Sequence, residues 1–116
     1  MTDHHFVHAE ILERFTLPGR GFFPAAEIRI GTIGDEWFVG TDYTLSTGEG
    51  GGGPVGYWTS WKDRHAHPSR DAALAAGIAE LRAKMKDRAE KAKAQLEWLD
   101  EIADGLQQPL LFGDAA

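Results

Sequence analysis

The sequence predicts an α+β fold, a three-stranded antiparallel meander packed on one long C-terminal helix. Short runs rich in β-branched and aromatic residues, bounded by Gly, Pro and Asp, fill the stretch 26–61. Apolar residues at a steady spacing of three or four then fill the stretch 70–104. A chain of 116 residues supports one domain with a core of its own.

Residues 1–20 form an N-terminal segment whose apolar residues Phe6, Val7, Ile11, Leu12 and Phe15 suit either a short helix capped by Thr2 or Asp3 or a first strand. Leu17-Pro18-Gly19 is a turn signal. Residues 26–33 alternate and are rich in Ile, which is a strand pattern. Gly34-Asp35 is a tight hairpin turn. Residues 36–45 give a second strand, with Trp37, Val39, Tyr43 and Leu45 on one face and Phe38 on the other. The Gly-rich stretch 46–54 reads as a flexible hairpin tip, and 55–61 as the third strand. There Tyr57 and Trp61 share a face and Trp58 lies opposite. Both faces of the sheet are therefore partly apolar, and a single helix covers only one of them.

Ser69 is placed as a helix N-cap, with Asp71 well located in the first turn. The apolar stripe runs Leu74, Ile78, Leu81, Met85, Ala89, Ala92, Leu96, Leu99, Ala103 and Leu106. Gly77 interrupts it at a cost of about 1 kcal/mol relative to Ala. A straight helix over 70–104 would be about 52 Å long, whereas a three-stranded sheet is only ~20–30 Å across. The helix must overhang, break near Met85, or pair with another chain. Gly105 is a natural C-cap, and Pro109 stops the helix from entering the tail. The expected organisation is a single domain over 1–106 followed by a C-terminal docking tail over 107–116.

Composition narrows the functional classes. The chain has no cysteine, which removes disulfides, thiolate catalysis and Cys-based zinc sites. It has no 18-residue apolar run and no basic-then-apolar leader, so a cytoplasmic protein without membrane association is expected. Net charge is −6, but six of the twelve basic residues (Arg82, Lys84, Lys86, Arg88, Lys91 and Lys93) cluster at 82–93. Against them stand only Asp87 and Glu90, so this stretch carries +4, and it is the candidate contact for a DNA backbone.

Chemistry-bearing patterns are sparse. Gly48-Glu49-Gly50-Gly51-Gly52-Gly53 satisfies Gly-x-Gly-x-x-Gly, but Pro54 and a strand follow where a dinucleotide site needs a helix. His4 and His8 would share a helix face, and His65 and His67 a strand face, yet neither pair has the further ligands of a catalytic zinc site. Asp42, Asp63 and His65 have no spacing that makes them a catalytic set. The expectation is a binding protein without cofactor or metal rather than an enzyme.

The most informative residues are Gln108, Leu111 and Phe112, in Gln-Pro-Leu-Leu-Phe. This peptide resembles the bacterial sliding-clamp-binding motif, Gln-Leu-(Ser/Asp)-Leu-Phe, at its first, fourth and fifth positions. Pro109 stands where leucine is usual and Leu110 where a small polar residue is usual. The resemblance implies that Gln108 hydrogen-bonds at a pocket rim while Leu111 and Phe112 fill an apolar cleft on the clamp. It points to an accessory factor of DNA replication or of a mobile element, with the clamp as partner. Two other readings use different features. One is a phage- or plasmid-type inhibitor or anti-defence protein that occludes a surface with its sheet face or Gly-rich loop. The other is a homo-oligomeric structural protein, a homodimer built by pairing the 85–106 stripes.

Overall fold

The computed structural model describes residues 6–7, 10–21, 23–52, 59–60 and 66–115, with side chains described over 10–21, 23–51 and 66–106. Its elements are β1 (Phe6–Val7), β2 (Glu10–Leu17), β3 (Ala26–Ile33), β4 (Glu36–Thr44), β5 (Gly50–Gly52), β6 (Thr59–Ser60), α1 (Arg70–Met85) and α2 (Lys93–Ala115). The α+β class holds, but the sheet has four antiparallel strands in the order β2-β3-β4-β5, and the helical region is two helices rather than one.

The central hairpin follows the sequence pattern. Ile33 pairs with Glu36 across a two-residue turn, where Gly34 adopts φ +62°, a conformation glycine reaches without a Cβ penalty. Ala26, Ile28 and Ile30 face Tyr43, Thr41 and Val39 across the ladder. This is the helix-facing side, and Ala26, Ile28, Ile30 and Thr41 are all fully buried. The hydroxyl of Thr41 donates to Glu80 Oε2 of α1 at 2.8 Å, which satisfies the buried polar group.

The N-terminal ambiguity resolves in favour of a strand. β2 pairs with β3 from Leu17↔Ala26 to Glu10↔Thr32, with a register shift between Ile11 and Glu13. Leu12, beside that shift, is half exposed, in step with the exposed Glu10, Arg14 and Thr16.

Two expectations for 46–61 need correction. The Gly-rich stretch is not only a hairpin tip, because Gly50, Gly51 and Gly52 form β5 and pair with Thr44, Tyr43 and Asp42. Glycines left no side-chain pattern to read, and the strand forms through backbone hydrogen bonds alone. The third strand at 55–61 is not the continuation of the meander that was expected. Thr59 and Ser60 pair with Val7 and Phe6 in a separate two-stranded ladder, while Tyr57, Trp58 and Trp61 lie outside the described residues.

α1 starts as expected, with Ser69 Oγ accepting from Ala72 N at 3.1 Å. It crosses the sheet at Gly77, where a Cβ would sit 2.8 Å from Val39 Cγ2 and 3.1 Å from Ile28 Cγ2. The glycine lets the helix lie against the strands. α1 then ends at the fully buried Met85, and a 3-10 turn (Lys86–Arg88) and a further turn through Ala92 reverse the chain into α2.

No Pro or Gly lies between Met85 and Lys93, so the reversal is set by packing rather than by a local breaker. Folding back sends Ala92 and Leu99, both fully buried, into the same core as Leu74, Ile78, Leu81 and Met85, with Leu96, Trp98, Ile102, Ala103 and Leu106 packed around it. Ala89, which the stripe included, is exposed in the turn. Arg82 Nη2 binds Asp100 Oδ1 at 2.8 Å and ties the two helices together.

Gln95 joins α2 to the sheet. It is 5 % exposed, and its Nε2 donates to the carbonyls of Thr44 at 3.1 Å and Ala25 at 3.4 Å. The helical backbone of α2 runs past Gly105 and through Pro109 to Ala115, so the predicted stop at Gly105 is not where the helix ends.

Candidate functional site

The basic cluster sits on the reversal between the helices, and all six of its side chains are exposed. Half of the cluster is neutralised locally. Arg82 pairs with Asp100, Lys84 Nζ lies 3.0 Å from Glu80 Oε2, and Arg88 binds Glu49 on the β4–β5 hairpin. The Arg88 hydrogen bond, helped by Thr47 Oγ1, holds the Glu49 carboxyl below its ordinary range and raises the guanidinium pKa in return. Lys86, Lys91 and Lys93 make no ion pair among the described residues. Three ammonium groups within the eight residues 86–93 are thus outside any ion pair among the described residues, with Asp87 and Glu90 interleaved among them.

Beside the reversal lies a depression that sequence reasoning missed. A groove of about 520 Å³ runs between the loop after β2, the β4–β5 hairpin and the start of α2, with Arg20, Phe23, Thr44, Lys91 and Gln95 among its walls. A second groove, about 460 Å³, continues from it past Phe23, Pro24 and Tyr43 to Glu27 and Asp42. Phe23 lines both and is 64 % exposed. Arg20 makes no ion pair among the described residues. Phe22-Phe23-Pro24 after a run containing Gly19 and Gly21 was the available signal, a pair of aromatics in a loop rather than in a strand.

The acids at the far end of the second groove are already paired. Glu27 accepts from Arg14 at 3.1 Å and from Arg29 at 3.0 Å, and Arg29 also binds Asp42. Asp42 is thus a structural ion-pair partner; Asp63 and His65, once grouped with it, lie outside the described residues. His4, His5 and His8 lie outside them as well, and the His67 backbone bridges to Trp37. No group of three metal-ligating side chains occurs among the described residues, and no described helix is long and apolar enough to cross a membrane.

A second polar cluster fastens α1 to the edge strand. Arg70 binds Glu13 with two hydrogen bonds, Nε to Oε1 at 2.7 Å and Nη2 to Oε2 at 3.0 Å, while its Nη1 reaches Asp71 at 2.8 Å. Its guanidinium carbon lies 5.6 Å from the centre of the Phe15 ring. The hydrogen bonds from Arg70 hold the Glu13 carboxyl below its ordinary value and raise the guanidinium further. This is a clamp between helix and strand, with each group satisfied by the other.

Gln108, Leu111 and Phe112 are carried on the last part of α2, after Leu106, which still packs on the core. Their side chains lie outside those described. No protein-family model, curated protein or solved structure matches this chain.

Proposed function

We propose that this protein is a non-enzymatic binding protein, an accessory factor of DNA replication or of a mobile element, which tethers itself to a bacterial sliding clamp through Gln108, Leu111 and Phe112. The observation that carries this reading is the residue pattern Gln108-x-x-Leu111-Phe112 itself. Two aliphatic and aromatic anchors, each worth roughly 1.5–3 kcal/mol when fully buried, suffice for a specific short-peptide contact.

The local physics of the chain supports an extended docked form. Gly105 and Pro109 stand four residues apart. Pro109 has no N–H to donate to the Gly105 carbonyl, and its ring crowds that carbonyl in a helix. Glycine costs about 1 kcal/mol and proline about 3 kcal/mol relative to Ala inside a helix. Unwinding 107–115 onto a foreign cleft therefore gives up little helix stability, and the fixed φ of Pro109 lowers the entropy lost on docking. Lys86, Lys91 and Lys93, which make no ion pair among the described residues, supply a second, salt-sensitive contact with the backbone of the DNA that a clamp encircles.

The test is direct binding of the purified chain to an immobilised clamp, compared with a chain ending at Leu106. The reading expects binding by the first and none by the second. Equal binding by both would place the contact elsewhere.

A further inference from the structure

We infer that the double groove centred on Phe23 is a binding site for a single-stranded nucleic acid, with a base stacked on Phe23 and the adjoining phosphates held by Arg20 and Lys91. The inference rests on the reading of the basic reversal as a surface that faces nucleic acid, and adds to it a site for the bases.

Three observations converge on one place. Phe23 is the described aromatic with the greatest exposure, and it stands where the two grooves meet. Exposed aromatics in a groove are how proteins take up unpaired bases, since every base has a face to stack. Arg20 and Lys91 both line this groove, one from the loop after β2 and one from the helix reversal, and neither makes an ion pair among the described residues, although Lys91, after Arg88, helps to lower the pKa of Glu49. Lys86 and Lys93 are exposed on the same reversal and add positive charge there, offset in part by the exposed Asp87 and Glu90.

The charge distribution also sets which side of the groove takes the phosphates. The end lined by Glu27 and Asp42 repels phosphate, although Arg14 and Arg29 temper it. The end lined by Arg20 and Lys91 attracts it. Phosphates therefore lie on the α2 side and a base on the side of Pro24 and Tyr43. Glu49, the nearest acid to Lys91 on the hairpin, is occupied by Arg88. A duplex fits this arrangement poorly, because its bases are stacked on one another and closed to Phe23.

The experiment is fluorescence anisotropy of the full-length chain with labelled oligothymidylate, oligouridylate and a duplex of equal length. Either single strand binds more tightly than the duplex, and the two single-stranded arms tell DNA from RNA. Phe23→Ala weakens single-strand binding about tenfold. The double substitution Arg20→Gln/Lys91→Gln reduces the slope of log K against log salt by about 1.4, two phosphate contacts' worth. Phe23 is exposed, and circular dichroism of the variant checks that the fold is kept.

Absence of single-strand binding overturns the inference. So does binding that Phe23→Ala leaves unchanged and that the duplex matches, an outcome that would retain the reversal as a phosphate contact but remove the base site. No clamp is present in this assay, so its result is separate from the fate of the C-terminal motif.

Discussion

Gly77 and Val39 touch so closely that the missing β-carbon of the glycine is what allows α1 to lie on the sheet: a methyl at Gly77 would fall 2.8 Å from Val39 Cγ2. Gly77→Ala improves intrinsic helix propensity by about 1 kcal/mol. It also overpacks a contact whose walls are Val39, Ile28 and Thr41, and overpacking costs typically about 1–3 kcal/mol. The packing cost wins, so Gly77→Ala lowers stability in urea denaturation. Combining it with Val39→Ala recovers part of the loss, because the truncated side chain removes the nearest obstacle. A Gly77→Ala variant more stable than wild type would mean that the helix stands farther from the sheet.

The Arg70–Glu13 clamp gives a pH prediction. The Glu13 carboxyl is held below its ordinary value of 4.5, first by the hydrogen bonds from Arg70. A carboxylate with a lowered folded pKa contributes stability that is complete above its unfolded pKa and is lost as pH falls through the folded value. Both side chains are more than a third exposed, so solvent screening limits the contribution to about 1 kcal/mol or less. Glu13→Gln is therefore less stable than wild type at pH 7, and the difference closes as the acid transition of Glu13 is passed below pH 4.5. A difference independent of pH would assign the role of Glu13 to packing.

Gln95 is the polar link between α2 and the sheet. Replacing it with Leu keeps the bulk but leaves the Thr44 carbonyl without the Gln95 donor; the Ala25 carbonyl still accepts from Thr44 N at 3.0 Å. A buried carbonyl without its donor costs about 1–3 kcal/mol, and the Thr44 carbonyl, in a part-buried bond, falls at the lower end. Gln95→Leu lowers the unfolding free energy by that amount and speeds amide exchange at the start of α2 more than in β3. Unchanged exchange in α2 would show that Ala92 and Leu99 hold the helix without the polar link.

Several elements were readable because their signal is local. The Ile-rich alternation of β3, the Gly34-Asp35 turn and the Ser69 cap each depend on a few neighbouring residues, and each stands where expected. β2 was ambiguous because its polarity does not alternate: Leu12 stands at an exposed position and Glu13 at a half-buried one, where Arg70 binds it. β5 was invisible because Gly50–Gly52 have no side chains to pattern.

The reversal after Met85 was foreseen only as one option among three. Its cause is the length of the sheet and the shared core, and the residues 86–92 carry no breaker of their own. The same limit applies to the site. The basic cluster was plain in the sequence, and the Lys84–Glu80 pair is a local i,i+4 contact within α1. The pairing with Asp100 and Glu49, and the approach of Arg20 and Phe23 to Lys91, are products of tertiary packing.

The tail makes the most exposed claim of the account. If Gln108, Leu111 and Phe112 form the docking element, Phe112→Ala removes the larger apolar anchor and lowers clamp affinity at least about tenfold, whereas Leu12→Ala, an exposed residue on β2, leaves it unchanged. A Leu110→Ala variant is expected to lose less than Leu111→Ala, since position 110 takes a small polar residue in the motif.

The most direct measurement is competition on a purified bacterial sliding clamp that carries a labelled Gln-Leu-Ser-Leu-Phe peptide. The intact protein is predicted to displace the label in a concentration-dependent way, and the Leu111→Ala/Phe112→Ala protein is predicted not to. Displacement by both proteins alike, or by neither at concentrations where the unlabelled peptide succeeds, contradicts the account.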